Sequence, residues 1–194
     1  VCRTLGWPQP LWNLQKSRAK QLNLISKGEL LEPLDAALWP SIELSSTDGS
    51  LVNLRKLSGA TVIYVYPRTS PPDGKPIEGW DEIPGARGCT PQSCAFRDHH
   101  DELRTAGADR VFGLSAQSSS YQQEMTERLH LPFAVLSDSG LKLKRQLQLP
   151  TFKAGGMEPY ERITMVVRDG LVDRVFYPVE EPVENASDVL RCLR

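Results

Sequence analysis

The sequence predicts an α/β domain, a central mixed β-sheet flanked by helices, behind an N-terminal extension. Three observations carry that expectation. Residues 60–66 (Ala-Thr-Val-Ile-Tyr-Val-Tyr) form an almost wholly apolar or β-favouring run, as a strand buried on both faces requires. Downstream of it, short strand-like runs alternate with stretches of helical periodicity. Near the C-terminus, Asp169-Gly170 separates two strand-like runs at hairpin spacing.

Taken in order, residues 1–37 read as the extension. Leu11, Leu14, Leu22 and Ile25 fall at roughly helical spacing, and the stretch ends at Glu32-Pro33. The domain is expected over residues 38–194. Residues 41–44 and 51–54 alternate around an Asp48-Gly49 turn and predict an edge hairpin. After Gly59 comes the buried strand, stopped by Pro67. Residues 68–88 are irregular and rich in proline and glycine, a length of patternless loop that is usually functional, and Trp80 and Ile83 are the side chains expected to pin it down. A helix with Thr90 as N-cap and Pro91 at its first position then runs to about Gly107, with Phe96, His100 and Leu103 toward the core. Strands are expected at residues 110–115, 131–136, 162–167 and 171–177. Helices are marked by Tyr121, Met125 and Leu129, by Leu143 and Leu147, and by Val183, Ala186, Leu190 and Leu193; Gly155-Gly156 falls in a loop.

At 194 residues one domain is the default. A formal net charge of −1 with no basic stripe argues against a nucleic-acid partner. No apolar run reaches the length of a bilayer span, and residues 6–10 (Gly-Trp-Pro-Gln-Pro) are unlike the apolar core of a secretory signal, so the expectation is a soluble, cytoplasmic protein. The four cysteines, Cys2, Cys89, Cys94 and Cys192, are not spaced like a small disulfide framework.

The chemistry concentrates in residues 86–98 (Ala-Arg-Gly-Cys-Thr-Pro-Gln-Ser-Cys-Ala-Phe-Arg-Asp). Cys89 lies at or just before a helix start, where unpaired N–H groups and the positive end of the helix dipole favour a thiolate, the nucleophilic form of the side chain. Arg87 and Arg97 stand nearby as candidate cations. Two buried structural thiols are the plain alternative. A zinc site with His99 or His100 is disfavoured: residues five apart on a helix are rotated by about 140°, and the C-x2-C spacing is missing. The two histidines read as surface or packing residues.

Three stretches, Tyr64-Val65-Tyr66-Pro67, residues 88–98 and residues 160–166 (Tyr-Glu-Arg-Ile-Thr-Met-Val), resemble the peroxiredoxins, thioredoxin-fold thiol peroxidases, and within them the Q-type or bacterioferritin-comigratory group. The similarity covers roughly residues 38–194. It implies a thioredoxin-like fold and no cofactor. It makes Cys89 the peroxidatic cysteine, Cys94 its resolving partner within the same helix, Arg162 the guanidinium beside the sulfur and Pro67 the border of the pocket. The chain departs from the family in one place. Cys89 follows Pro67 by 22 positions instead of 7, an insertion of 15, and the position three before Cys89 is Ala86 where the family has threonine. Thr69 could replace that hydroxyl only if the long loop folded back, whereas Arg87 could compensate by its charge.

The resemblance implies reduction of hydrogen peroxide or an organic hydroperoxide, an intramolecular disulfide, a thioredoxin-like reductant and a monomer or homodimer. Cys192 is the rival resolving thiol, and Cys2 a weaker one. Other functions stay open at this level: a non-enzymatic redox sensor or scaffold, or thioredoxin-like disulfide exchange, although C-x4-C differs from the exchange motif.

Overall fold

The structure is a computed structural model that describes residues 37–70, 74 and 77–194. The helical stretch expected within the extension, and Cys2, lie outside the described residues.

One eight-stranded mixed sheet organises the chain. Its strands are β1 (Ala37–Leu38), β2 (Leu44–Ser46), β3 (Leu51–Val52), β4 (Ala60–Val65), β5 (Arg110–Ser115), β6 (Val135–Ser137), β7 (Ile163–Arg168) and β8 (Leu171–Phe176). They lie in the order β1-β8-β7-β4-β5-β6-β2-β3. Strand β4 is central and fully buried, as its composition requires; it runs parallel to β5 and antiparallel to β7. The period-2 alternation of a strand splits its side chains between two cores. Val62, Tyr64 and Tyr66 face one cluster, and Ile63 and Val65 the other.

Helices cover both faces. The first face carries α1 (Cys89–Asp98), α2 (His100–Thr105), α3 (Ser119–Arg128) and α5 (Asn185–Leu193), which contribute Phe96, Leu103, Met125 and Val189 to its cluster. On the other, α4 (Lys142–Leu147) packs Leu143 and Leu147 beside Trp39 and Leu54.

Several elements shift from their expected places. The edge hairpin forms, but its first strand begins at Leu44 rather than residue 41. Strand β1 was not expected; Ala37 and Leu38 pair with Val172 and Leu171 of β8. The third parallel strand is shorter and later than residues 131–136. The helix expected to run to Gly107 breaks at His99 into α1 and α2. Its cap is Gly88, with Thr90 one residue inside the helix, so the side-chain cap expected of Thr90 is absent. Around Gly155-Gly156, expected in a loop, residues 151–160 close into a small hairpin through Thr151 opposite Tyr160 and Ala154 opposite Met157.

That hairpin is anchored at its base. The Tyr160 hydroxyl donates to Asp138 Oδ2 at 2.7 Å and accepts from Lys144 N at 3.1 Å, while Asp138 also accepts from the amides of Lys142 and Leu143 at 2.8 Å. The fully buried Tyr160 thus joins α4 to the chain just before Arg162. Tyr160→Phe keeps the ring and removes a hydroxyl that both donates and accepts. The expected loss of stability is about 1–2 kcal/mol, read as a lower urea midpoint with an unchanged m-value.

Candidate active site

Cys89 is the first residue of α1, where the backbone leaves Gly88 in the left-handed region (φ +93°) and enters the helix. Gly88 is needed twice over. Its φ suits glycine, and a Cβ there would lie 2.7 Å from Pro182 Cγ. The Gln92 amide makes the first helical bond, to Gly88 O at 2.9 Å. The Cys89 and Thr90 amides before it therefore stand at the open end of the helix.

Arg162, the residue before β7, reaches across to the same point. Its Nη2 donates to Cys89 Sγ at 3.3 Å, to Arg87 O at 2.6 Å and to Gly85 O at 3.2 Å, and its Nη1 donates to Gln92 Oε1. Sequence reasoning placed this guanidinium beside Cys89, and the structure brings the two together. Both are buried, Arg162 to 3% exposure and Cys89 to 4%. Arg162 stays charged in any protein environment, and its other acceptors named here are neutral amides and carbonyls. Among these partners, only the sulfur can take up the negative charge that a buried cation calls for. Arg162 Nε is buried and without a partner, a donor still free to bind a small polar ligand.

A chain of buried polar groups extends from there. Gln92 Nε2 donates to Asn185 Oδ1 at 2.9 Å, and Thr164 Oγ1 donates to the same oxygen at 2.7 Å. Gln92, Thr164 and Asn185 are all almost completely buried. They join α1, β7 and α5 behind Arg162. Sequence reasoning missed all three. Gln92, one helical turn after Cys89, was findable from spacing; Asn185, 93 residues from Gln92, was not.

The remaining candidates fall out differently. The Arg87 guanidinium, offered as a compensating charge, is 72% exposed and pairs with Asp81 at 3.5 Å; only its carbonyl serves the site. Arg97 pairs with Asp98 and Leu129 O. Thr69 is buried, with its amide and hydroxyl on Gln117 Oε1 and its carbonyl accepting from Gln117 Nε2 and Tyr121. At Ala86, the position of the missing threonine, the main-chain oxygen accepts from Cys89 Sγ at 3.5 Å. Pro67 is buried at the exit of β4, one residue after Tyr66. Burial pushes the Tyr64 and Tyr66 phenols well above their ordinary pKa, so both are neutral and bring no competing negative charge to this core.

Cys89 and Cys94 are free thiols at opposite ends of the first turn and a half of one continuous helix. Cys192 on α5 is disulfide-bonded. His99 faces Glu102 and Ser187, and His100 packs against Phe133, as packing residues do. Among the described residues no cluster of three or more His, Cys, Asp or Glu could hold a metal, and no helix is long and apolar enough to cross a membrane.

With this geometry in place, comparison with known proteins gives a consistent result. Residues 34–190 match the redoxin family. Chloroplastic peroxiredoxin Q of Suaeda salsa is 30% identical over 161 residues, covering 82% of this chain and 67% of that protein. The Sedum lineare protein of the same name is 31% identical over 156 residues, covering 80% and 75%. The chain spans about two thirds of the length of most of the plant relatives it matches. Among solved structures, peroxiredoxin Q of Xanthomonas campestris superposes with a TM-score of 0.64 at 25% identity, covering 81% of this chain and 96% of that one.

The buried network makes its own prediction. Gln92→Leu strands Arg162 Nη1 and Asn185 together and is expected to cost about 1–3 kcal/mol in denaturant unfolding. Gln92→Glu, whose carboxylate still accepts from Arg162, should cost less.

Proposed function

Because the chain belongs to the redoxin family, in its peroxiredoxin Q branch, we propose that it is a thiol-dependent peroxidase that reduces hydrogen peroxide or organic hydroperoxides at Cys89. The observation that carries this reading is the buried guanidinium of Arg162, 3.3 Å from a sulfur seated at the start of a helix.

In the first step the Cys89 thiolate attacks one peroxide oxygen. A sulfur–oxygen bond forms as the oxygen–oxygen bond breaks, giving Cys89 sulfenic acid and a hydroxide or alkoxide that takes up a proton and leaves as water or alcohol. Arg162 steadies the charge on sulfur before the attack and on the departing oxygen after it, with donors fixed where water is scarce. Its free Nε is the donor best suited to meet the substrate. Pro67, with no N–H to offer, closes the end of β4.

In the second step the Cys94 thiolate displaces hydroxide from the sulfenic sulfur, leaving a Cys89–Cys94 disulfide and, once protonated, water. Five helical residues separate two Cα atoms by nearly 9 Å, beyond the roughly 7 Å that a disulfide spans. The first turns of α1 must therefore unwind, pulling Gln92 from Arg162 and Asn185. Cys192, already in a disulfide, offers no competing thiol. A thioredoxin-like dithiol would return both cysteines to the reduced state. The reading from sequence is a cytoplasmic protein, while the plant relatives are named as chloroplastic. The protein would act as a monomer or homodimer.

Rapid mixing of reduced protein with peroxide tests the assignment. Cys89→Ser should abolish peroxide consumption, and Arg162→Met should slow it by about 10²–10³-fold. Cys94→Ser should consume one equivalent and stop, without the Cys89–Cys94 bond that mass spectrometry finds in the treated wild-type protein. A Cys89→Ser protein that still turns over peroxide would overturn the reading.

A further inference from the structure

Residues 77–87 belong to no strand and to neither core cluster, yet they end on the most constrained side chain of the site. Two of the four acceptors around Arg162 are their carbonyls, Gly85 O at 3.2 Å and Arg87 O at 2.6 Å from Nη2, the nitrogen that also meets Cys89 Sγ. The carbonyls are set by a compact local fold. Trp80–Glu82 makes a single 3-10 turn, closed by Ile83 N on Trp80 O at 3.2 Å, and Ala86 N then donates to Ile83 O at 3.1 Å.

This folded piece also docks on a neighbouring hairpin. The Trp80 ring lies against Phe152, with centroids 5.6 Å apart at 51°. Ile77 sits so close over Gly155 (φ +54°) that a Cβ there would lie 2.8 Å from Ile77 Cγ2. Phe152 and Gly155 belong to the 151–160 hairpin, whose last residue, Tyr160, is anchored through Asp138 two positions before Arg162. The segment thus ends on Arg162 through its carbonyls, the hairpin ends two residues before it in sequence, and the two touch each other where Trp80 meets Phe152 and Ile77 meets Gly155.

We propose that residues 77–87 form a clasp that aims Arg162, with Trp80 and Phe152 as positioning residues that act through the Gly85 and Arg87 carbonyls. Two of the four acceptors that align the guanidinium belong to this main-chain grip. The inference builds on the assignment of Arg162 as the group beside the reacting sulfur. Trp80 and Phe152 are only half-buried and outside both cores, so their truncation leaves the fold in place.

The experiment compares the full-length wild-type protein with Trp80→Ala, Phe152→Ala, the double variant and Trp80→Phe. Three quantities are read: the rate of Cys89 with hydrogen peroxide, its rate with iodoacetamide, and solvent exchange of the Arg162 Nε–H by NMR, assigned with Arg162→Lys. Iodoacetamide needs only the ionised sulfur, and the charge of Arg162, which stays beside Sγ when its N–H donors are misaimed, still sustains that ionisation. Each alanine variant should lose about tenfold in the peroxide rate, since displacements well under 1 Å carry such penalties, with the iodoacetamide rate held within about twofold. The double variant should lose no more than about twofold beyond either single one, because both break the same contact. Trp80→Phe should recover most of the rate, and Arg162 Nε–H exchange should quicken in the alanine variants alone. A wild-type peroxide rate in both alanine variants, fully additive losses, or an equal fall in both rates would each overturn the clasp. If the wild-type protein ignores peroxide, the peroxidase assignment fails instead, and Arg162 Nε–H exchange by itself decides whether the clasp holds.

Discussion

The architecture of the site follows from one buried cation. Arg162 is withdrawn from water almost completely, and a guanidinium so placed must be met by acceptors on nearly every N–H. Three neutral acceptors come from the 77–87 segment and from α1: two carbonyls and the Gln92 amide. None of them can return the missing negative charge. The remaining partner is Sγ of Cys89, so the demand of the cation and the needs of a nucleophilic sulfur coincide.

The same requirement explains why the surrounding elements are where they are. Gly88 lets the chain turn sharply enough to start α1 with its cysteine against Arg162. Strand β7 begins one residue after Arg162 and pairs with the fully buried β4, so the guanidinium is delivered from beside the centre of the sheet. Asn185 ties Gln92 to Thr164 and closes the back of the site with the last helix. The buried phenols of Tyr64 on β4 and Tyr66 just after it stay neutral.

The arrangement carries a tension that the proposed cycle needs. Gln92 holds Arg162 and Asn185 from within the turns of α1 that separate Cys89 from Cys94. Aligning the site for its first step and closing the disulfide in the second are therefore incompatible states of the same few residues. A helix start without a side-chain cap, next to a long irregular segment, is a weak enough boundary to pass between them.

Much of this was legible in the chain. The apolar run at 60–66 marked the central strand, the alternation after it gave the mixed sheet with helices on both faces, and the Cys-Thr-Pro-Gln-Ser-Cys stretch with Arg162 located the chemistry, because each signal is local or carried by a short motif. Other features were not legible, since they depend on which groups meet across the fold. Thr90 has the chemistry of an N-cap, but the helix starts two residues earlier, from Gly88 in the left-handed region. Arg87 looked like a charge for the site, yet its side chain points to Asp81 and water while its carbonyl turns inward. Thr69, close in sequence to the proline motif, is taken by Gln117. Residue types and spacing determined the sheet and marked Cys89 at a helix start, and a motif resemblance pointed to Arg162 beside it; only the tertiary structure decided which main-chain oxygens and buried amides surround that arginine, because main-chain acceptors look alike in every residue and their directions are set by contacts far apart along the chain.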